Sequence, residues 1–92
     1  MNDEDASLTF EELRVTCSLD REWLLVRVRE GLISAAGGAD PDWRFTAAAV
    51  TRARRMRDIE RAYDAAPELA ALVADLLEQI EDLRAQLTRL TP

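Results

Sequence analysis

The chain has 92 residues, enough for one small domain whose core alone gives thin stability unless helices pack well or subunits share apolar surface. Eighteen acids face twelve basic residues, a net charge of −6 that repels a DNA backbone unless the cations are concentrated on one face. With no histidine and a single cysteine, Cys17, the chain excludes His-ligated zinc, Ser-His-Asp and Cys-His catalysis and an internal disulfide.

All twelve basic residues are arginine, and charged residues make up 33% of the chain against 5% aromatics, a soluble and helix-prone composition. No apolar run reaches the roughly 18 residues of a membrane span, and the first residues, with Asp3, Glu4 and Asp5, are acidic and unlike a signal peptide. A cytoplasmic protein is expected, with residues 1–8 as an acidic tail. Cys17 is expected to be a small buried hydrophobe.

Residues 9–64 divide into short elements. Thr9 followed by Glu12 is a capping box, so a helix starts here, with Phe10, Leu13 and Cys17 on its apolar side. Asp20 caps a second helix reaching Glu30, with Trp23, Leu24, Leu25 and Val28 as its inner face and Gly31 as the left-handed residue after it. Two short helices so close together read as a helix-turn-helix. Residues 34–42 contain Gly37, Gly38 and Pro41 and form a loop, after which Trp43, Arg44 and Phe45 alternate as a short strand, so a small hairpin or wing closes the unit with Trp43 packed inward.

Thr46 caps a third helix from Ala47, with an apolar line of Val50, Ala53, Met56, Ile59 and Tyr63. Its other side carries Arg52, Arg54, Arg55, Arg57 and Arg61. These arginines are expected to be neutralised by Asp58, Glu60, Asp64 and acids of the last helix, and a nucleic-acid surface is the alternative. After a break at 64–66, Pro67 opens the last helix, residues 67–90, and Glu68 suits its positive end.

In that helix Leu69, Val73, Leu76, Ile80, Leu83, Leu87 and Leu90 recur at steps of four and three. This is the seam of a helix that pairs with another helix, and Leu72 and Leu77 widen it. It is expected to pack on its own domain near its start and on a second copy further along, giving a homodimer. No glycine-rich phosphate loop or paired-cysteine spacing is present, and adjacent carboxylates such as Glu81 and Asp82 point to different sides of a helix. A non-enzyme without cofactor or metal is expected.

The order of elements, with Glu30, Gly31, Leu32 and Ile33 at the corner, Trp43, Arg44, Phe45 and Thr46 ending the wing, and the leucine-seamed last helix, resembles the MerR regulators. The fold this implies is mainly α: a winged helix-turn-helix followed by a long C-terminal dimerisation helix. Those regulators carry an arginine and an aromatic pair on the second helix that contact the DNA backbone; Leu25, Val26 and Arg27 stand there in this chain, and Trp43 replaces the wing arginine.

A closer resemblance is to the CbpM-like chaperone modulators, a MerR-derived family. It is carried by Leu8, Thr9 and Phe10, by the Glu30 corner, by Trp43, Arg44 and Phe45, by the run from Arg54 to Ile59, by Pro67 to Ala70, and by Leu76 to Arg84. It implies a modulator that binds the J-domain of a DnaJ/CbpA-type co-chaperone and inhibits its stimulation of a DnaK-type chaperone. J-domains present a basic second helix, for which Glu11, Glu12, Asp20 and Glu22 are the candidate contacts. The alternative is a MerR-like DNA-binding transcriptional regulator acting through Arg21, Arg27, Arg29 and Arg44.

Overall fold

The computed structural model describes residues 7–38 and 42–90. Most of the expected acidic tail, the wing tip with Pro41, and Thr91 and Pro92 lie outside the described residues. Four helices follow one another: α1 (Phe10–Thr16), α2 (Arg21–Arg29), α3 (Ala47–Tyr63) and α4 (Pro67–Leu90).

Each start is chemically marked. At α1 the Thr9 hydroxyl accepts from the Glu12 amide at 3.1 Å while the Glu12 carboxylate accepts from the Thr9 amide at 2.9 Å, the reciprocal pair anticipated from the sequence. Asp20 accepts from the Trp23 amide at the start of α2, and Thr46 from the Ala49 amide at the start of α3. Pro67 opens α4 at a position whose amide has no intrahelical partner.

The ends are equally definite. Gly31 at φ 77° closes α2: its amide bonds to the Val28 carbonyl, and the Leu32 amide reaches the Arg27 carbonyl at 2.9 Å. The same pair of bonds closes α1, from Ser18 to Val15 and from Leu19 to Arg14, with Ser18 in the left-handed region at φ 52°. Asp64, at φ 50°, turns the chain out of α3.

The core lies where α1, α2 and the wing meet α3, and its largest fully buried side chains are Phe45, Leu13, Leu24, Ile33 and Met56. Cys17 is buried among them. Trp43 is buried as expected, its ring centroid 6.0 Å from that of Phe10, with its indole N–H donating to the Gly38 carbonyl at 3.3 Å. Among the described residues no polar or charged side chain is buried.

Two expectations are corrected. The alternation at 43–45 does not build a strand: Arg44 exchanges two backbone hydrogen bonds with Ala36, and Phe45 exchanges two with Leu8, each an isolated bridge. Neighbouring residues of an extended segment direct their backbone groups to opposite sides, so Arg44 and Phe45 serve different partners. The wing is therefore one bridged pair wide, and the segment before α1 is its second neighbour. Gly37 is required there because a Cβ would collide with the Asp42 carbonyl oxygen.

The second correction concerns α3. Ala49, Ala53 and Met56 are its buried residues and Val50 and Ile59 are half-buried, whereas Tyr63 is 78% exposed. At 100° per residue Tyr63 shares the side of Arg52 and Ile59, but it stands in the last turn, where no described element covers it.

Candidate interaction surfaces

On α1 and α2 the carboxylates singled out from the sequence already have structural partners, apart from Glu22. Glu11 takes a bidentate contact from Arg14 and a 2.9 Å hydrogen bond from Arg21. The Arg14 hydrogen bond is the main reason its pKa lies below the ordinary value, with the Arg21 charge assisting. Glu12 is held low by the Thr9 amide, and Asp20 caps α2. Glu22 is exposed in the first turn of α2. Three of these four residues hold the helix-turn-helix in shape.

The arginines considered for DNA fare differently from one another. Arg21 is paired to Glu11. Arg27 is drawn inward: its guanidinium lies 4.7 Å from the Trp23 ring centroid and donates to Glu60 at 2.7 and 3.3 Å, with side chains only 12% and 13% exposed. Glu60 also accepts from the Trp23 indole N–H at 3.0 Å. One carboxylate on α3 thus holds both an arginine and a tryptophan of α2. Arg29 and Arg44 are exposed.

The arginine-rich α3 has two flanks. On one, Arg52 donates to the Leu32 carbonyl at 2.7 Å, to Asp75 at 2.7 Å and to Glu78 at 3.0 Å, and Arg55 takes Glu81 with two bonds of 2.8 Å. The expected neutralisation by acids of the last helix is therefore present here. Burial works against the Arg52 charge, and the Glu78 and Asp75 hydrogen bonds more than offset it, raising its pKa. Hydrogen bonding to Arg55 in turn lowers that of Glu81. On the other flank Arg54, Arg57 and Arg61 make no ion pair and no side-chain hydrogen bond among the described residues, so the expected compensation by Asp58, Glu60 and Asp64 is absent there.

The spacing of these arginines marks a helix without showing which of them point at α4. The Arg27 to Glu60 pairing has no sequence signal, since no spacing rule connects residues 33 apart.

Along α4 small and large residues are segregated. Ala70, Ala71 and Ala74 are buried against the body, and Val73 and Leu77 are half-buried. Leu69, Leu72, Leu76, Ile80, Leu83, Leu87 and Leu90 are between 44% and 80% exposed. The long helix therefore docks through alanines and presents leucines outward, with Leu72 facing out beside the Val73 position of the seam. Every residue from 81 to 90 is exposed. No helix among the described residues is long and apolar enough to cross a membrane.

Comparison with known proteins adds a family. Neither a curated protein nor a solved structure matches the chain. The model of the family described as MerR HTH family regulatory protein matches residues 8–91, from the bridge that precedes α1 to the end of the leucine-bearing helix. With its mainly helical architecture, its helix-turn-helix and its long C-terminal helix, the chain belongs to the MerR helix-turn-helix family of regulatory proteins.

Proposed function

We propose that this chain is a protein-binding member of the family, a cytoplasmic, non-enzymatic chaperone modulator. It binds the J-domain of a DnaJ/CbpA-type co-chaperone and inhibits the co-chaperone's stimulation of a DnaK-type chaperone, as the CbpM-like resemblance implies. The observation that carries this reading is the state of the helix-turn-helix face. Arg27, which would have to grip phosphates, is committed to Glu60, and Arg21 is paired at the surface with Glu11, while the exposed start of α2 offers Glu22 beside the capping Asp20 carboxylate. A guanidinium already paired at 2.7 Å and largely covered gives little to a DNA backbone. An acidic face suits the basic second helix of a J-domain by charge complementarity, with Glu11, Glu12, Asp20 and Glu22 as its contacts.

The active species is a homodimer joined through the exposed apolar face of α4, centred on Leu76, Ile80 and Leu83. A contiguous row of half-exposed leucines is costly in water and is the form a helix-pairing seam takes.

The test is biochemical. The purified chain should co-elute with a J-domain and suppress the J-domain's stimulation of DnaK ATP hydrolysis, and Glu22→Arg should weaken both. Absence of co-elution with every J-domain tried overturns the reading. A second reading, duplex binding, is favoured by the exposure of Arg29 and Arg44. Two phosphate contacts give a slope of about −2 in the logarithm of affinity against the logarithm of salt, and sequence-selective duplex binding with that slope would establish it instead.

A further inference from the structure

The two-sided arginine pattern of α3 carries an inference independent of the J-domain reading. Arg54, Arg57 and Arg61 stand at i, i+3 and i+7, on one flank over about 10 Å of helix. Arg54 and Arg61 are exposed and Arg57 is half-buried, and none has an ion pair among the described residues. Arg57 and Arg61 open onto a cleft of about 400 Å³ whose other walls are Trp23, Ala65 and the carboxylates of Asp20, Glu60 and Asp64, of which Asp20 is engaged in capping α2. The Glu60 carboxylate is occupied by Arg27 and the Trp23 indole, which leaves it poorly placed to neutralise Arg57. On the opposite flank Arg52 and Arg55 are saturated by α4, so the chain has separated its structural arginines from a free row.

We propose that this row, with the cleft beside Trp23, is a docking surface for a short acidic segment of a partner protein. Three guanidiniums over one helical flank can each take a carboxylate with two parallel hydrogen bonds, and an aspartate- and glutamate-rich peptide supplies carboxylates at that spacing. A nucleic acid fits less well. A molecule of net charge −6 repels a long polyanion at a distance, and Asp58 and Asp64 border the row, whereas a short peptide meets only the local cations.

The experiment uses the full chain and a fluorescein-labelled dodecapeptide rich in Asp and Glu, followed by anisotropy at low salt. Saturable binding is expected, with a change in intrinsic emission that disappears in Trp23→Phe. Arg57→Gln with Arg61→Gln should weaken binding at least tenfold, and Arg54→Glu alone should also weaken it. Arg29→Gln with Arg84→Gln, exposed arginines elsewhere, should leave it unchanged; circular dichroism establishes that each variant is folded. Equal weakening by the two double variants, no effect of the stripe variants, or tighter binding of a single-stranded DNA dodecamer than of the peptide overturns the proposal.

Discussion

Replacing Glu60 by alanine should remove more stability than any other single charge deletion. Its carboxylate receives the Trp23 indole N–H at 3.0 Å and the Arg27 guanidinium at 2.7 and 3.3 Å, in a setting where both charged side chains are nearly covered. Alanine leaves an indole donor without an acceptor, about 1 kcal/mol or more, and a covered guanidinium without its counter-charge, about 2 kcal/mol. Together these amount to about 3 kcal/mol, which for a domain of this size lowers Tm by roughly 15 °C. Glu60→Gln keeps an acceptor and should cost about half as much. A double-mutant cycle with Arg27→Met isolates the pair, with a coupling of about 2 kcal/mol expected. Thermal melts at one fixed protomer concentration keep self-association out of the comparison. A coupling below about 0.5 kcal/mol would mean that the pair behaves like an exposed ion pair, and the account of how α2 is held to α3 would be wrong.

Ser18→Gly should stabilise the fold by about 1 kcal/mol, because a side chain at φ 52° is unfavourable and glycine is not; an unchanged melting temperature refutes it. Glu11, Glu12 and Glu81 have folded pKa values below the ordinary 4.5, so their contribution is present at neutral pH and is lost as pH falls below 4.5 through the depressed folded values. Melts from pH 7 to pH 3 should be flat above about pH 5 and fall below it, and removing the Arg55 partner should blunt the fall. Leu76→Arg and Ile80→Arg each place a charge in the apolar seam, at a cost of several kcal/mol, roughly; sedimentation should give a monomer, and dimeric mass for both variants would refute the seam.

Helix starts were legible because a cap is a local event: Thr9, Asp20, Thr46 and Pro67 each act within one turn, and each stands at a helix start in the structure. The left-handed exit at Gly31 was legible for the same reason, while Ser18 was not, since nothing in a serine announces positive φ, and Asp64, a residue type enriched there, marked the break without fixing its conformation. The alternation at 43–45 misled because period two reports facing, not pairing: Trp43 and Phe45 do point inward, yet Arg44 and Phe45 each make only a single bridge. Of the candidate surfaces, the acids were found by sign, but their use as caps and arginine partners depends on contacts that only the folded chain brings together, such as Arg21 with Glu11.

The division of labour on α4 explains why one helix can serve two surfaces. Alanine at 70, 71 and 74 lets its backbone approach α3 closely, and close approach is what allows Arg52, which also holds the Leu32 carbonyl, to reach the Ala71 carbonyl, Asp75 and Glu78. Leucines on that side would hold the helices apart and strand the guanidinium. Because the small residues and the arginine do the docking, the large residues are left to face outward. Arg52 also ties the corner after α2 to the first half of α4, so a force that shifts α4 is transmitted to the end of the helix-turn-helix. Enlarging Ala74 to leucine tests this coupling: it should loosen the Arg52 contacts and perturb amide protection around Leu32 as well as along α4. Protection changes confined to α4 would show that the two surfaces are mechanically separate.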